Sequence, residues 1–184
     1  MQELFARNVL GFWLFIMSEC ILFGCFFATY VILHNNTAGG PSGKELFDPT
    51  LVLAETIILL FSNLFIEPTQ AATGRGRAIF FFSLTLSLGI VFFTLVLGDF
   101  FHFYSLGATW ERSGFLSAYF SLVGIFLFHF SVGILWLLIL MGQIAVRGIT
   151  PHSMRRTTLL RLFWHFLNVV WLFIFAIVYL LGVI

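Results

Sequence analysis

Phe163-Trp164-His165-Phe166-Leu167-Asn168-Val169-Val170-Trp171 lies early in the last apolar run of the chain, 159–184. Wound as an α-helix, it sets Trp164, Asn168 and Trp171 at i, i+4 and i+7, with His165 beside Asn168 at i−3. The rest of the segment is Leu, Val, Ile and Phe. Hydrocarbon satisfies no hydrogen bond, so a His and an Asn there must face protein or water. The segment is therefore expected to be a membrane helix that presents one face to protein.

The rest of the chain has the same character. Of its 184 residues, 60% are hydrophobic and 9% charged, against roughly 25% charged in a soluble domain. A net charge of +1 gives no electrostatic basis for binding nucleic acid. The 26 Phe residues suit lipid contact and interhelix packing, because Phe enters a membrane as readily as Leu. A spanning helix needs about 20 mostly apolar residues. Five runs are candidates, at about 9–33, 51–66, 78–100, 115–146 and 159–183, the second of them short and expected to extend at its start. The expected fold is all-α, a polytopic bundle of five transmembrane helices in a single transmembrane domain over residues 1–184. The connections are brief and rich in Gly and Pro, with no room for a folded domain outside the membrane. The first run contains Glu19 and lacks a small-residue cleavage site, so it reads as a retained helix rather than a signal peptide.

Basic residues set the expected orientation. Arg7, Arg75, Arg77, Arg147, Arg155, Arg156 and Arg161 fall at one end of the up-and-down arrangement, and Lys44 and Arg112 at the other. The positive-inside rule then puts the N-terminus in the cytoplasm and the C-terminus in the periplasm.

Glu19 lies about ten residues into the first run, hence about 15 Å deep at 1.5 Å per residue. That is near the midplane of a core about 30 Å thick. An acid at this depth is either neutral or partnered. His129, about fourteen residues into the fourth run, reaches a similar depth and is the nearest partner by depth. Asp99 and His102 stand one turn apart at the outer end of the third run, with Glu55 near the outer end of the second, as a solvated polar cluster. One Asp-x-x-His falls short of the paired Glu-x-x-His units of carboxylate-bridged metal sites, so no metal site is expected. Cys20 and Cys25, five apart, do not stack on one helix face and read as small apolar fillers. There is no nucleophile motif, and no catalytic residue is assigned.

Three stretches carry a family resemblance. Trp164-His165-Phe166-Leu167-Asn168-Val169-Val170-Trp171, followed by Tyr179 and Gly182, resembles the end of subunit III of haem-copper terminal oxidases. Glu111-Arg112-Ser113-Gly114-Phe115-Leu116-Ser117-Ala118-Tyr119-Phe120, continuing through Leu122-Val123-Gly124, resembles the quinol-oxidising, cytochrome bo-type branch. Met17-Ser18-Glu19 is the third. Together they cover nearly the whole chain. The resemblance implies an auxiliary subunit of a bacterial inner-membrane ubiquinol oxidase, packed against subunit I beside subunits II and IV. Haem and copper are then expected in subunit I, with no cofactor in this chain. It further implies phospholipid binding and support for assembly and sustained proton uptake, with Glu19, His129 and Asp99 as the lipid-binding or proton-related residues. Trp164, His165, Asn168 and Trp171 are expected to serve interhelix or subunit packing. The family's common form has seven helices; the two missing here are also missing from the bo-type branch.

The chain departs from the family in two places. Phe126 stands where the family has the first of two histidines, so only His129 carries over. Asn168 stands where Asp is usual, which removes a charge but leaves an interhelix hydrogen bond open. Subunit III of a cytochrome c oxidase, or a nitric-oxide-reductase accessory chain, is the alternative within this class. A small independent transporter is disfavoured by the odd helix count and the absence of matched helix breaks.

Overall fold

The computed structural model describes residues 2–39, 43–72 and 74–180, without the side chains of 2–8, 44 and 45. Gly182 and the end of the last apolar run lie outside the described residues. The elements are α1 (Gln2–Leu33), the short α2 (Gly43–Leu46), α3 (Pro49–Ile66), a 3₁₀ turn (Glu67–Thr69), α4 (Arg75–Ser105), α5 (Gly114–Arg147) and α6 (Pro151–Ile174). The chain then continues as a π-helix over Phe175–Leu180. No strand occurs among the described residues. Five of the helices are long and apolar enough to cross a membrane: Val9–Leu33, Pro49–Thr69, Arg75–Ser105, Gly114–Arg147 and Pro151–Leu180.

Caps, rather than hydropathy, fix the helix ends. Asp48 accepts from the Thr50 amide and Pro49 opens α3, so this helix starts before its apolar run. Ser113 caps α5 by accepting from the Leu116 amide. At the other end of α5, Gly148 takes φ +73°, a conformation that costs a side-chain-bearing residue dearly. Thr150 and Ser153 then form a reciprocal capping box with Pro151 at the first helical position. Thus α6 begins at Pro151, well before the apolar run at 159, and only the turn 148–150 separates it from α5. Hydropathy marks the part suited to hydrocarbon; the polar first turns remain helical because their amides are satisfied.

Contacts between successive helices, together with α3 against α6, close α3, α4, α5 and α6 into a ring. α1 lies outside it, against α5 and α6. The core is aromatic: Trp164, Trp171, Phe82, Phe92, Phe126 and Phe130 are all fully buried. Two glycines admit the Trp164 ring. A Cβ on Gly89 of α4 would stand 3.3 Å from its indole carbons, and one on Gly133 of α5 would meet Leu167 at 3.3 Å and Trp164 at 3.5 Å. Cys20 and Cys25 are free and exposed on the outside of the bundle. They fill no gap within this chain, contrary to the expectation, because α1 turns most of its surface away from the ring.

Candidate functional site

Among the described residues, polar side chains meet at four seams between helices, the third of them partly exposed. The first joins α1 to α5. Glu19 Oε2 and His129 Nε2 stand 3.0 Å apart, each residue 9% exposed. The contact lies off the N–H axis, so Oε2 has no aligned hydrogen bond. His129 Nδ1 is 2.8 Å from the Ile125 carbonyl oxygen, which can only accept, so Nδ1 carries a hydrogen. Nε2 is then the ring nitrogen turned toward Glu19. The rings of Phe23 and Phe128 present edge contacts to His129, at centroid distances of 5.4 and 5.6 Å. Phe126 packs elsewhere, against Phe92 and Trp171 in the ring core.

The second seam joins α6 to α3 and is made by the stripe that opened the sequence. Trp164 Nε1 donates to Ser62 Oγ at 3.1 Å, and Trp171 Nε1 to Thr56 Oγ1 at 3.0 Å. These two indoles tie the helices at points two turns apart. Asn168, between them, behaves differently. Its amide nitrogen donates to the Trp164 carbonyl of its own helix at 2.9 Å, and Oδ1 is buried with no partner. The interhelix hydrogen bond expected of Asn168 is not formed, because the shorter side chain folds back along its own helix.

His165 faces a third seam, at the Arg-rich end. Arg161 and His165, at i and i+4 of α6, bond the two carboxylate oxygens of Glu67 just beyond α3. This clamp was not singled out from the sequence. Its signal was there: an acid at a helix end otherwise surrounded by basic residues, and a basic pair at helical spacing.

The fourth seam lies at the opposite end. Glu55 is fully buried and neither of its carboxyl oxygens has a hydrogen-bond partner. Asp99 is close enough to couple to it electrostatically, and Asp99 in turn couples to His102 and Asp48. Tyr119 and Tyr179, hydroxyl to hydroxyl at 3.0 Å, feel both acids. Tyr30 of α1 donates to the Val178 carbonyl at 3.3 Å, on the π-helical segment where the ordinary helix ladder is interrupted. Phe47 folds over this group, its ring 4.8 Å from Tyr179 and 5.3 Å from Tyr119. The expected cluster does assemble, but it is not solvated at Glu55. The α3 face bearing Glu55 turns into the ring, and Phe47 and the tyrosines close over it.

No group of three or more His, Cys, Asp or Glu among the described residues is arranged to hold a metal ion.

Five apolar spans with ionisable groups held in seams between helices define a polytopic membrane protein of the all-α class. The chain belongs to the cytochrome c oxidase subunit III family, which it matches over residues 6–183. Among curated relatives, cytochrome bo(3) ubiquinol oxidase subunit 3 of Pseudomonas aeruginosa is 45% identical over 96% of this chain and 86% of its own length. Quinol oxidase subunit 3 of Bacillus subtilis is 38% identical over 95% of this chain and 87% of its own. Cytochrome c oxidase subunit 3 of Bacillus sp. (strain PS3) is also 38% identical, over 97% and 87%.

Proposed function

We propose that this chain is the auxiliary subunit III of a bacterial inner-membrane haem-copper ubiquinol oxidase. It works beside subunits I, II and IV, with haem and copper in subunit I and no electron transfer through its own residues. The observation that carries this reading is the 45% identity to a bo(3) ubiquinol oxidase subunit 3 over 96% of the chain. The geometry supports a supporting role in proton uptake. Glu19 and His129, each able to carry a proton, stand 3.0 Å apart on the buried seam where α1 meets the ring. Phospholipid against α1 would keep that seam dry, so that the proton exchanges along a defined route and not with bulk water. The N-terminus is cytoplasmic, which sets the Glu67 clamp on the inner side.

The test removes the chain from the purified complex. The haem spectrum and the initial ubiquinol oxidation rate are expected to survive, while activity decays sooner in prolonged turnover. Haem bands that vanish with this polypeptide, and return when it alone is added back, would overturn the reading. The topology has its own check: Asn35→Cys should label from the periplasm and Ala71→Cys from the cytoplasm. The similarity to the Bacillus sp. PS3 cytochrome c oxidase subunit favours a second reading, in which reduced cytochrome c and not ubiquinol is the donor. Steady-state turnover of the intact complex with each donor separates the two.

A further inference from the structure

Glu55 is the most deeply sealed acid among the described residues: it is fully buried, and both its carboxyl oxygens lack a hydrogen bond. An ionised carboxylate held in this way has neither water nor a donor to spread its charge, a state that burial penalises heavily. The groups acting on it come from every helix that meets there. Asp99 of α4 couples to Glu55, and His102 of α4 and Asp48 at the start of α3 couple to Asp99. Tyr119 of α5 and Tyr179 of the π-helical segment feel both acids, and Tyr30 of α1 acts on Tyr119. Among these groups only His102 can carry positive charge, and it acts on Asp99. Tyr119 and Tyr179 have two hydroxyl hydrogens and use one in their mutual bond, so the other remains to donate. Exposure falls along the group. Asp48 and His102 are exposed, Asp99 is half-buried and Glu55 is sealed. The acids thus form a ladder from the surface into the ring.

Two coupled carboxyls without a cation between them settle with a proton on one. A proton suits this pair better than a larger cation, because two oxygens are enough to hold it, whereas Ca²⁺ takes about six to eight. We propose that Glu55 and Asp99 form a proton-binding site, sharing one proton that enters from the surface past His102 and Asp48. In the loading step Asp99 passes the proton to Glu55. The Asp99 O–H bond breaks, a Glu55 O–H bond forms, and the pair keeps a single negative charge. Glu55 is then a neutral acid inside the ring, and the charge stays on Asp99, where water and His102 act on it. The site joins α3 to α4, whereas Glu19 and His129 join α1 to α5, so it is a second proton site and no extension of the first. It rests on the proposed orientation for its place on the periplasmic side.

The test is infrared spectroscopy of the intact resting complex, wild type minus variant, in H2O and in D2O. E55Q should remove the carbonyl stretch of one protonated carboxyl, and in the wild type that stretch should move to lower frequency in D2O. E55D keeps a carboxyl and should keep a protonated band. The double variant E55Q/D99N should lose one band and not two, because one proton serves both acids. D99N alone should leave the Glu55 band in place but move its frequency, since the carboxylate that shares the proton is gone. D99L should slow the exchange of the Glu55 band in D2O, because it closes the way in. Retention of the chain in each complex is read by mass in the same samples. Should E55Q release the chain, the D99N and D99L arms still decide, since both observe the native Glu55. No protonated carboxyl lost from a retained E55Q overturns the proposal; a sodium or calcium ion held by the wild type and not by E55Q would then assign the pair to a cation instead. Two bands lost in the double variant, or a Glu55 band indifferent to D99N, overturns the sharing of one proton. Unchanged exchange in D99L overturns the route past Asp99. The spectra need no electron donor, so a complex that oxidises cytochrome c would sink the proposed function and leave this result standing.

Discussion

α1 and α6 are both long and apolar enough to cross a membrane, yet 6% of the most apolar stretch of α1 is buried within the chain, against 56% for α6. α6 is held on three sides, by α1, α3 and α5. Its two indole N–H groups reach α3, and Trp164 enters the space left by Gly89 and Gly133. α1 has Glu19, Phe23 and Tyr30 turned to the ring and leaves Leu10, Leu14, Met17, Ile21 and Ile32 outside. In a bilayer, apolar surface gains little by leaving lipid for protein, so hydropathy says nothing about which helix is central. Shape and hydrogen bonds decide it. α6 is fixed by small residues opposite large rings and by buried donors with acceptors on a neighbour. α1 offers few such features to its own chain and much surface to something else.

The largest effect that tests this contrast is expected at Trp164. Trp164→Ala removes a fully buried ring from its glycine notch and takes away the donor to Ser62 Oγ, which keeps its own bond to the Leu59 carbonyl; the cost is about 3–5 kcal/mol for a large-to-small core change. The subunit should be lost from the complex at markedly lower temperature. Trp13→Ala, on the half-exposed side of α1, should shift that temperature little within this chain. Equal losses from the two would erase the distinction between the helices.

A smaller effect is expected where α1 does bond to the ring. His129→Leu leaves Glu19 buried and unpartnered, at about 1–3 kcal/mol. The double replacement Glu19→Leu with His129→Leu should cost less than the single one, because no orphaned acid remains. Thermal release of the subunit from the complex reads all the arms of this cycle. Additive losses would mean that the pair does not interact.

Much of this arrangement was legible in the sequence, because membrane spans need long apolar runs and polar groups inside them need partners. The spacing of Trp164, Asn168 and Trp171 found the buried face of α6, whereas depth made His129 the nearest candidate partner of Glu19 but carried no lateral distance, so the pairing itself was open. What stayed hidden has a physical cause. α3 is apolar nearly all round, so no moment shows which face turns inward, and Glu55 was assigned to a solvated edge when it is sealed in the ring. The same lack of contrast hid the outward facing of Cys20 and Cys25. Asn168 illustrates a different limit: spacing places a side chain on a face, but not whether it reaches across or bonds back to its own turn.

Next in size is the single hydrogen bond. Trp171→Phe keeps most of the buried ring and removes the donor to Thr56, at about 0.6–1.7 kcal/mol, the range for polar contacts between membrane helices. Thr56→Val in the same chain should add little, since the partner is already gone. A further loss of equal size would show that the α3–α6 seam rests on packing at Thr56 rather than on the bond.

The smallest effect in stability carries the most information about α1. Cys20→Ala and Cys25→Ala should each change subunit retention by no more than about 0.5 kcal/mol, the scale of exposed substitutions. The two positions are five residues apart, hence about 140° apart around the helix axis. A neighbouring subunit that packs against one side of α1 therefore covers one of them more than the other. Cys20→Trp and Cys25→Trp exploit this. A Trp facing lipid is tolerated, whereas one forced into a packed interface costs about 1–3 kcal/mol. If α1 is short of contacts in this chain because another subunit supplies them, the two Trp variants must differ in how readily the chain leaves the purified complex, and the weaker one marks the docking side. If both are retained as well as the wild type, the outer face of α1 lies against lipid. The low burial of α1 would then be a finished membrane surface rather than half of an interface.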